Sequence, residues 1–295
     1  MEPASREHLI EERRKHMLEQ QQKLKATTSK IKHKIAVISG KGGVGKSTVS
    51  VNLAMAFASH GHSNRVGILD ADIHGPSVPK ILGLTGQRLQ IGNQAIQPVL
   101  GPLGMKVVSM DFLLPEVEAP VIWRGPLKIT AIRQFISDVV WGNLDILIID
   151  LPPGTGDEPL SVVQFLPEMD GVVIVTIPSD VSQVVVKKAV TFARRLGIPI
   201  IGLIENMSGF ICPHCGTKTD IFQSGGGRKV SEEMGIPFLG SIPIDQKVSE
   251  NSDKGLPFIV ADSASAASKA FMGIVKKIEN FLKNREKQNS AASIA

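Results

Sequence analysis

The segment Gly40-Lys41-Gly42-Gly43-Val44-Gly45-Lys46-Ser47-Thr48 follows the apolar run Ile35-Ala36-Val37-Ile38, and no other feature constrains the chain as tightly. It reads as a strand, a glycine-rich loop and the start of a helix. Glycines let the backbone curl until successive N–H groups face a polyphosphate, and a helix beginning near Gly45 adds the positive end of its dipole. Every position of the pattern G-x-x-x-x-G-K-[ST] is filled, so all nine residues from Gly40 to Thr48 are candidates for binding ATP. Lys46 is expected to reach the β- and γ-phosphates, and the Ser47 hydroxyl to take a place on Mg²⁺. A glycine-rich turn with no ligand is the competing reading.

The rest of the chain fits such a loop into a layered α/β fold. Apolar runs at Ile35–Ser39, Arg65–Leu69, Lys106–Met110, Ile146–Ile149, Gly171–Ile177, Ile198–Ile204 and Phe238–Ile242 suit strands buried on both faces. Amphipathic stretches at Val49–His60, Pro126–Val140, Ser182–Leu196 and Ala267–Leu282 supply helices between or after them. The expected fold is a doubly wound, mostly parallel sheet of the phosphate-loop NTPase type, with helices on both faces. It forms a single domain over residues 31–285, with a Cys-x-x-Cys insert near 207–220. The segments Gly83–Pro102 and Ser224–Arg228 are expected to be surface loops. Residues 1–30 form a flexible or helical extension, with Ile10, Met17 and Leu24 spaced seven apart along one narrow seam. Residues 286–295 are expected to be a disordered tail.

Net charge is +5, but the basic residues are spread along the chain, aromatics make up 4% and Tyr is absent. Platforms for stacking bases are therefore scarce, and nucleic acid is not an expected partner. No apolar run approaches the roughly 20 residues needed to cross a bilayer, and no secretory or organellar leader is evident. The expected location is the cytoplasm.

Asp150 closes the run Ile146-Leu147-Ile148-Ile149 and precedes Leu151-Pro152-Pro153-Gly154-Thr155-Gly156-Asp157. An acid at the end of a buried strand suits a role in holding Mg²⁺, here through water. The Gly154 N–H is a candidate to meet the γ-phosphate and sense hydrolysis, which would make this loop a switch. A second acidic loop, Asp70-Ala71-Asp72-Ile73-His74-Gly75-Pro76-Ser77, follows Leu69. Asp72 is assigned to the attacking water and Asp70 to the metal shell or to loop structure. For both aspartates the alternative is capping of a helix after Gly75.

Cys212 and Cys215 are the only cysteines, which excludes a disulfide scaffold. Two residues between them let both thiolates reach one metal, yet zinc and iron–sulfur sites generally take four ligands. One chain is half a site. A homodimer with twofold symmetry would bring four thiolates together. A bridging cluster, a bridging zinc ion and a redox dithiol are the readings open to the pair.

Taken together, GKGGVGKST, DADIHGPS, IIDLPPGTGD, Glu205-Asn206-Met207 and CPHCG at 212–216 resemble the Mrp/ApbC branch of the deviant phosphate-loop ATPases. These are iron–sulfur carriers related to the MinD and nitrogenase iron-protein groups. The resemblance implies ATP hydrolysis, with Lys41 reaching across a homodimer to the partner's nucleotide and acting with Lys46 and Asp72 in catalysis. It also implies that Asn206 binds the adenine edge, with Pro243 and Asp245 completing the base pocket. For the cysteines it favours a 4Fe-4S cluster bridged between subunits and delivered to apo iron–sulfur proteins, zinc being the substitute. Some relatives carry a further N-terminal cysteine cluster, whereas residues 1–33 here contain no cysteine. The rival reading is a MinD/ParA-like positioning ATPase that binds membrane or nucleoid. It rests on the apolar stripe Phe271, Ile274, Val275, Ile278, Phe281 and Leu282 beside Lys276, Lys277 and Lys283. An electron-donating reductase ranks lower, because its relatives space their cysteines widely.

Overall fold

The computed structural model describes residues 3–73, 75–92, 95–113, 125–166, 168–212, 215–221 and 224–292. The chain opens with α1 (Pro3–Thr28), β1 (Ile31–Ser39), α2 (Lys46–Ser59), β2 (Val66–Asp70) and the short α3 (Val78–Ile81). A hairpin of β3 (Gln90–Ile91) and β4 (Ile96–Gln97) leads to β5 (Val99–Leu100) and β6 (Lys106–Ser109). Next come α4 (Gly125–Ser137), β7 (Leu144–Asp150), α5 (Asp157–Gln164), β8 (Gly171–Thr176), α6 (Asp180–Arg195) and β9 (Ile200–Glu205). A second hairpin, β10 (Phe210–Ile211) and β11 (Lys218–Thr219), precedes α7 (Gly226–Glu233) and β12 (Phe238–Ser241). The chain ends in α8 (Gln246–Asp253), α9 (Phe258–Ala261) and α10 (Ala266–Ala292).

Eight strands form one sheet in the order β12-β9-β8-β1-β7-β2-β6-β5, and every pairing is parallel except β5 with β6. All seven expected strands are present within it. Ile35 through Ile38 in β1, Ile146 through Ile149 in β7 and Val172 through Val175 in β8 are each at most 1% exposed, as strands covered on both faces must be. α2, α9 and α10 pack together on one side, while α6 and α7 pack together beside β8 and β9. The chain winds outward from β1 in both directions, which places the ends of β1, β7, β2, β8 and β9 around one crevice.

Several boundaries and elements differ from expectation, each for a local reason. β1 begins at Ile31 because His33 and Lys34 are buried despite their polarity, the Lys34 N–H donating to Asp170 Oδ2 at 2.9 Å. The stretch expected to be a loop over 83–102 carries the β3–β4 hairpin and the edge strand β5. The second expected loop, Ser224–Arg228, turns into α7 at Gly226. The last helix continues through 286–292, where a disordered tail was expected. There Glu286 meets Lys32 Nζ at 2.9 Å and His33 Nε2 at 3.2 Å, which ties the helix to the start of β1.

At the other terminus, the last turns of α1 dock beside α4. The Thr27 hydroxyl donates to the Ser137 carbonyl at 2.9 Å and Lys23 pairs with Asp138 at 3.0 Å, while Met17 is exposed. Of the seam, Leu24 packs against the core. The side chain of Ile10 lies outside the description.

The C-terminal stripe is core. Phe271, Ile274, Val275, Ile278 and Leu282 are buried and Phe281 is partly so, α10 packing on α2 and β12. This removes the apolar face that the membrane-binding rival requires. Among the described residues, no helix is long and apolar enough to cross a membrane.

Candidate functional site

At the end of β1 the backbone turns sharply enough that Gly43 and Gly45 take φ of +75° and +77°. Gly45 is also the residue before α2, so the first helical N–H groups point into the loop. A side chain at Gly45 has no room, since its Cβ would sit 2.3 Å from Asn206 Nδ2. That amide nitrogen donates to the Val44 carbonyl at 2.9 Å, which pins the end of β9 to the loop.

The charged centre lies beneath the loop. Asp150, fully buried at the end of β7, receives the Lys46 ammonium at 2.8 Å, the Ser47 hydroxyl at 2.6 Å and the Ser50 hydroxyl at 2.6 Å. Asp70 closes β2 and pairs in register with Asp150. Its carboxylate accepts from the Ser109 hydroxyl at 3.1 Å and from the Val78 N–H at 3.3 Å. Burial, reinforced by the neighbouring Asp150, pushes the Asp70 carboxyl well above the usual carboxylate range. Two buried carboxyl groups thus lie near one ammonium, and the ligand atoms that they and the Ser47 hydroxyl offer a metal are all oxygen. A hard divalent cation such as Mg²⁺ fits this set.

Asp72 and Gly154 are engaged in ways their expected roles do not require. Asp72 Oδ1 accepts the Gly75 N–H at 3.4 Å and its own N–H donates to Asp70 Oδ1 at 3.2 Å, so both aspartates shape the loop before α3. Asp70 also caps α3, whose first N–H is that of Val78. The Gly154 N–H donates to the Ser39 carbonyl at 2.8 Å, so in this arrangement it is turned to the end of β1. His74 lies outside the described residues. Gly40 meets α6 closely, its notional Cβ falling 2.6 Å from the Val185 carbonyl oxygen, and Gly42 is exposed. Lys41 is half-buried, and its carbonyl accepts the Ser39 hydroxyl at 2.9 Å.

Beside the loop opens a cavity of about 380 Å³ whose walls include Gly45, Thr48, Asn206, Met207, Pro243 and Asp245. The three residues assigned to the base pocket therefore share one cavity with the loop itself. Asp245 has a second occupation, its carboxylate capping α8 by accepting the Lys247 N–H at 3.0 Å.

Cys212 and Cys215 sit in the turn of the β10–β11 hairpin, where Phe210 pairs with Thr219 and Ile211 with Lys218. The Cys212 N–H donates to the Thr217 carbonyl at 3.0 Å and its own carbonyl accepts the Gly216 N–H at 2.9 Å. Cys212 is half-buried and Cys215 exposed, and both thiols are free. The Cys215 sulfur lies 3.3 Å from the Thr217 hydroxyl, and this hydrogen bond above all lowers the Cys215 thiol below its ordinary value. Pro213 and His214, between the cysteines, lie outside the described residues. The hairpin rests on the cavity wall through the Ile244 N–H, which donates to the Gly209 carbonyl at 2.7 Å.

Sequence reasoning missed Ser50, Ser109 and Glu205. Ser50 lies one helical turn after Lys46, and a serine in an otherwise apolar helical stretch was the available signal. Glu205 repeats the pattern of Asp150, an acid closing an apolar strand.

Comparison with known proteins agrees with this geometry. An iron–sulfur cluster carrier protein of Methanocaldococcus jannaschii is 53% identical over 265 residues, covering 90% of each chain. One from Saccharolobus solfataricus is 52% identical over 264 residues, covering 90% of this chain and 88% of its own. A nucleotide-binding protein from Archaeoglobus fulgidus, solved with ADP, superposes with a TM-score of 0.72 at 42% identity, covering 80% of this chain and 92% of its own. MinD from Pyrococcus horikoshii, solved with Mg-ADP, shares the fold at a TM-score of 0.62 and 21% identity, covering 83% of this chain and 95% of its own. The ParA family model described as NUBPL iron-transfer P-loop NTPase matches residues 30–279, and the chain belongs to that family.

Proposed function

We propose that this protein is an ATP-hydrolysing carrier that holds a 4Fe-4S cluster between two copies of itself and delivers it to apo iron–sulfur proteins. The observation that carries the reading is the pair of free thiols, one half-buried and one exposed, in the turn of the β10–β11 hairpin. It offers two soft ligands where such a cluster takes four, so a second copy must supply the rest. Carrier activity in relatives about half identical to this chain supports the same cargo here.

ATP would lie along the loop with its base in the cavity against Asn206, Pro243 and Asp245, and its phosphates under the N–H groups of Gly42 to Thr48. Lys46 moves from Asp150 to the β- and γ-phosphates, and Asp72 orients the attacking water. Lys41 of each copy reaches the nucleotide of the other. A cation supplied on closure offsets the charge that builds on the transferred phosphoryl group. Mg²⁺ would be held by Ser47 and, through water, by Asp150, and when bound it neutralises phosphate charge. Closure, hydrolysis and release would change the spacing and exposure of the cysteines at the same interface, so nucleotide state gates loading and transfer. The cytoplasm is the proposed location.

Anaerobic reconstitution with iron and sulfide tests this reading. One four-iron cluster per dimer, read by absorbance and Mössbauer spectroscopy and lost in Cys212→Ala, is the expected result. A monomer that keeps a full metal complement overturns it.

A further inference from the structure

The cysteine hairpin leaves the central sheet at Ser208 and rejoins the body of the protein at Gly225, and one buried carboxylate holds both ends. Glu205, the last residue of β9, has no solvent exposure. Its Oε1 accepts the Ser208 hydroxyl at 2.5 Å and the Gly225 N–H at 3.0 Å. Its Oε2 accepts the Gly227 N–H at 2.5 Å. All three partners donate. Two of them belong to the start of α7, where the helix dipole also favours negative charge.

The same residue stands next to the nucleotide cavity. Its neighbour Asn206 is both a cavity wall and the donor to the Val44 carbonyl of the phosphate loop. The Glu205 carbonyl accepts the Ile242 N–H at 2.8 Å, and the Ser208 N–H returns a bond to the Ile242 carbonyl at 2.9 Å. Ile242 and Ile244 line the cavity, and Ile244 holds Gly209. The cavity wall and both ends of the hairpin are therefore one hydrogen-bonded unit with Glu205 at its centre.

We propose that Glu205 is the positioning residue through which nucleotide occupancy reaches Cys212 and Cys215. This rests on the reading above that nucleotide state governs the cysteine pair. A ligand pressing on Asn206 shifts the backbone that carries Glu205, and the carboxylate moves Ser208 and the start of α7 with it. Flexible tethers at the two ends would dissipate the same displacement before it reached the turn.

Glu205→Gln keeps the size of the side chain but replaces one acceptor oxygen with an NH₂ group, which cannot accept. Either the Gly227 bond or the bonds to Ser208 and Gly225 then lose their acceptor, and the grip on the hairpin ends is weakened. The test follows the alkylation of the cysteines by iodoacetamide in the reduced, metal-free, full-length protein, with and without ADP or a non-hydrolysable ATP analogue. Co²⁺ titration, read by thiolate charge-transfer absorbance, reports the metal site separately. In the parent protein nucleotide should change the alkylation rate by about fivefold or more. In E205Q nucleotide and Co²⁺ should bind with parental affinity while that rate ratio falls to near one.

A purely structural role would alter the rates equally with and without nucleotide and would leave the ratio intact. Should E205Q fail to fold, Ser208→Ala removes one donor only and should reduce the ratio, with Ser208→Thr restoring it. A parent protein indifferent to nucleotide overturns the coupling on which the inference stands. A parent that responds, beside variants that respond equally, overturns the role of Glu205 alone.

Discussion

The phosphate loop and the cysteine hairpin are built on opposite physical terms. Around Asp150 the polar groups are buried or half-buried and already partnered, with Lys46 only 6% exposed and three donors converging on one carboxylate. The hairpin has strands of two residues, with Cys212 half-buried and Cys215 exposed. The polar groups of the first site are brought together by the fold of one chain. The second is assembled only as far as one chain can take it. Stability and chemistry are thus coupled at the loop and separable at the hairpin.

That contrast can be broken by substitution. Asp150→Ala deprives the buried Lys46 ammonium of its ion-pair partner at 2.8 Å and should cost about 3–5 kcal/mol in denaturant unfolding. ATP turnover should fall at least about a hundredfold with it. A near-neutral result would mean that the loop is less pre-assembled than its geometry indicates. Cys215→Ala should do the reverse, cutting Co²⁺ affinity by about tenfold or more while stability stays within about 0.5 kcal/mol. If unfolding shifts strongly, the hairpin turn is part of the fold and the contrast fails.

Gly45→Ala probes the join between the regions, because the added methyl meets the Asn206 amide at a positive φ. A loss of about 1–3 kcal/mol in thermal unfolding is expected, together with weaker binding of a fluorescent ATP analogue. Thr217→Val sharpens the picture at the hairpin. Without the Thr217 hydrogen bond the Cys215 thiol rises toward its ordinary value and carries less thiolate at neutral pH. Iodoacetamide should react about two- to fivefold more slowly, with the midpoint of the pH–rate profile moved upward.

The smallest effect is expected far from both sites, at Glu286. Lys32 holds its carboxyl below the ordinary value, so the pair contributes stability above that value and loses it as pH falls through the depressed one. The side chain is 41% exposed, and screening should limit Glu286→Gln to under about 0.5 kcal/mol at neutral pH, vanishing in acid.

What could be read from the residues follows the same division. Strands such as Ile146–Ile149 and Gly171–Thr176 are legible because burial on both faces demands unbroken apolar runs, and the loop is legible because phosphate binding fixes glycine, lysine and hydroxyl at set intervals. The helix α7 was not legible. Its Gly226-Gly227 start has poor helical propensity, and the carboxylate that caps it comes from Glu205, distant in sequence. The engagement of the Gly154 N–H by Ser39 was equally hidden, since it depends on the register of β1 against β7. Asp245 was expected in the base pocket through the resemblance, and only the fold reveals that the same residue also caps α8.

The resting position of Lys46 has a consequence for ligand choice. Its ammonium is occupied by Asp150, so an incoming molecule must outcompete a carboxylate at 2.8 Å before the lysine turns toward it. The longer the anionic tail of a ligand, the more negative charge it sets against that internal ion pair.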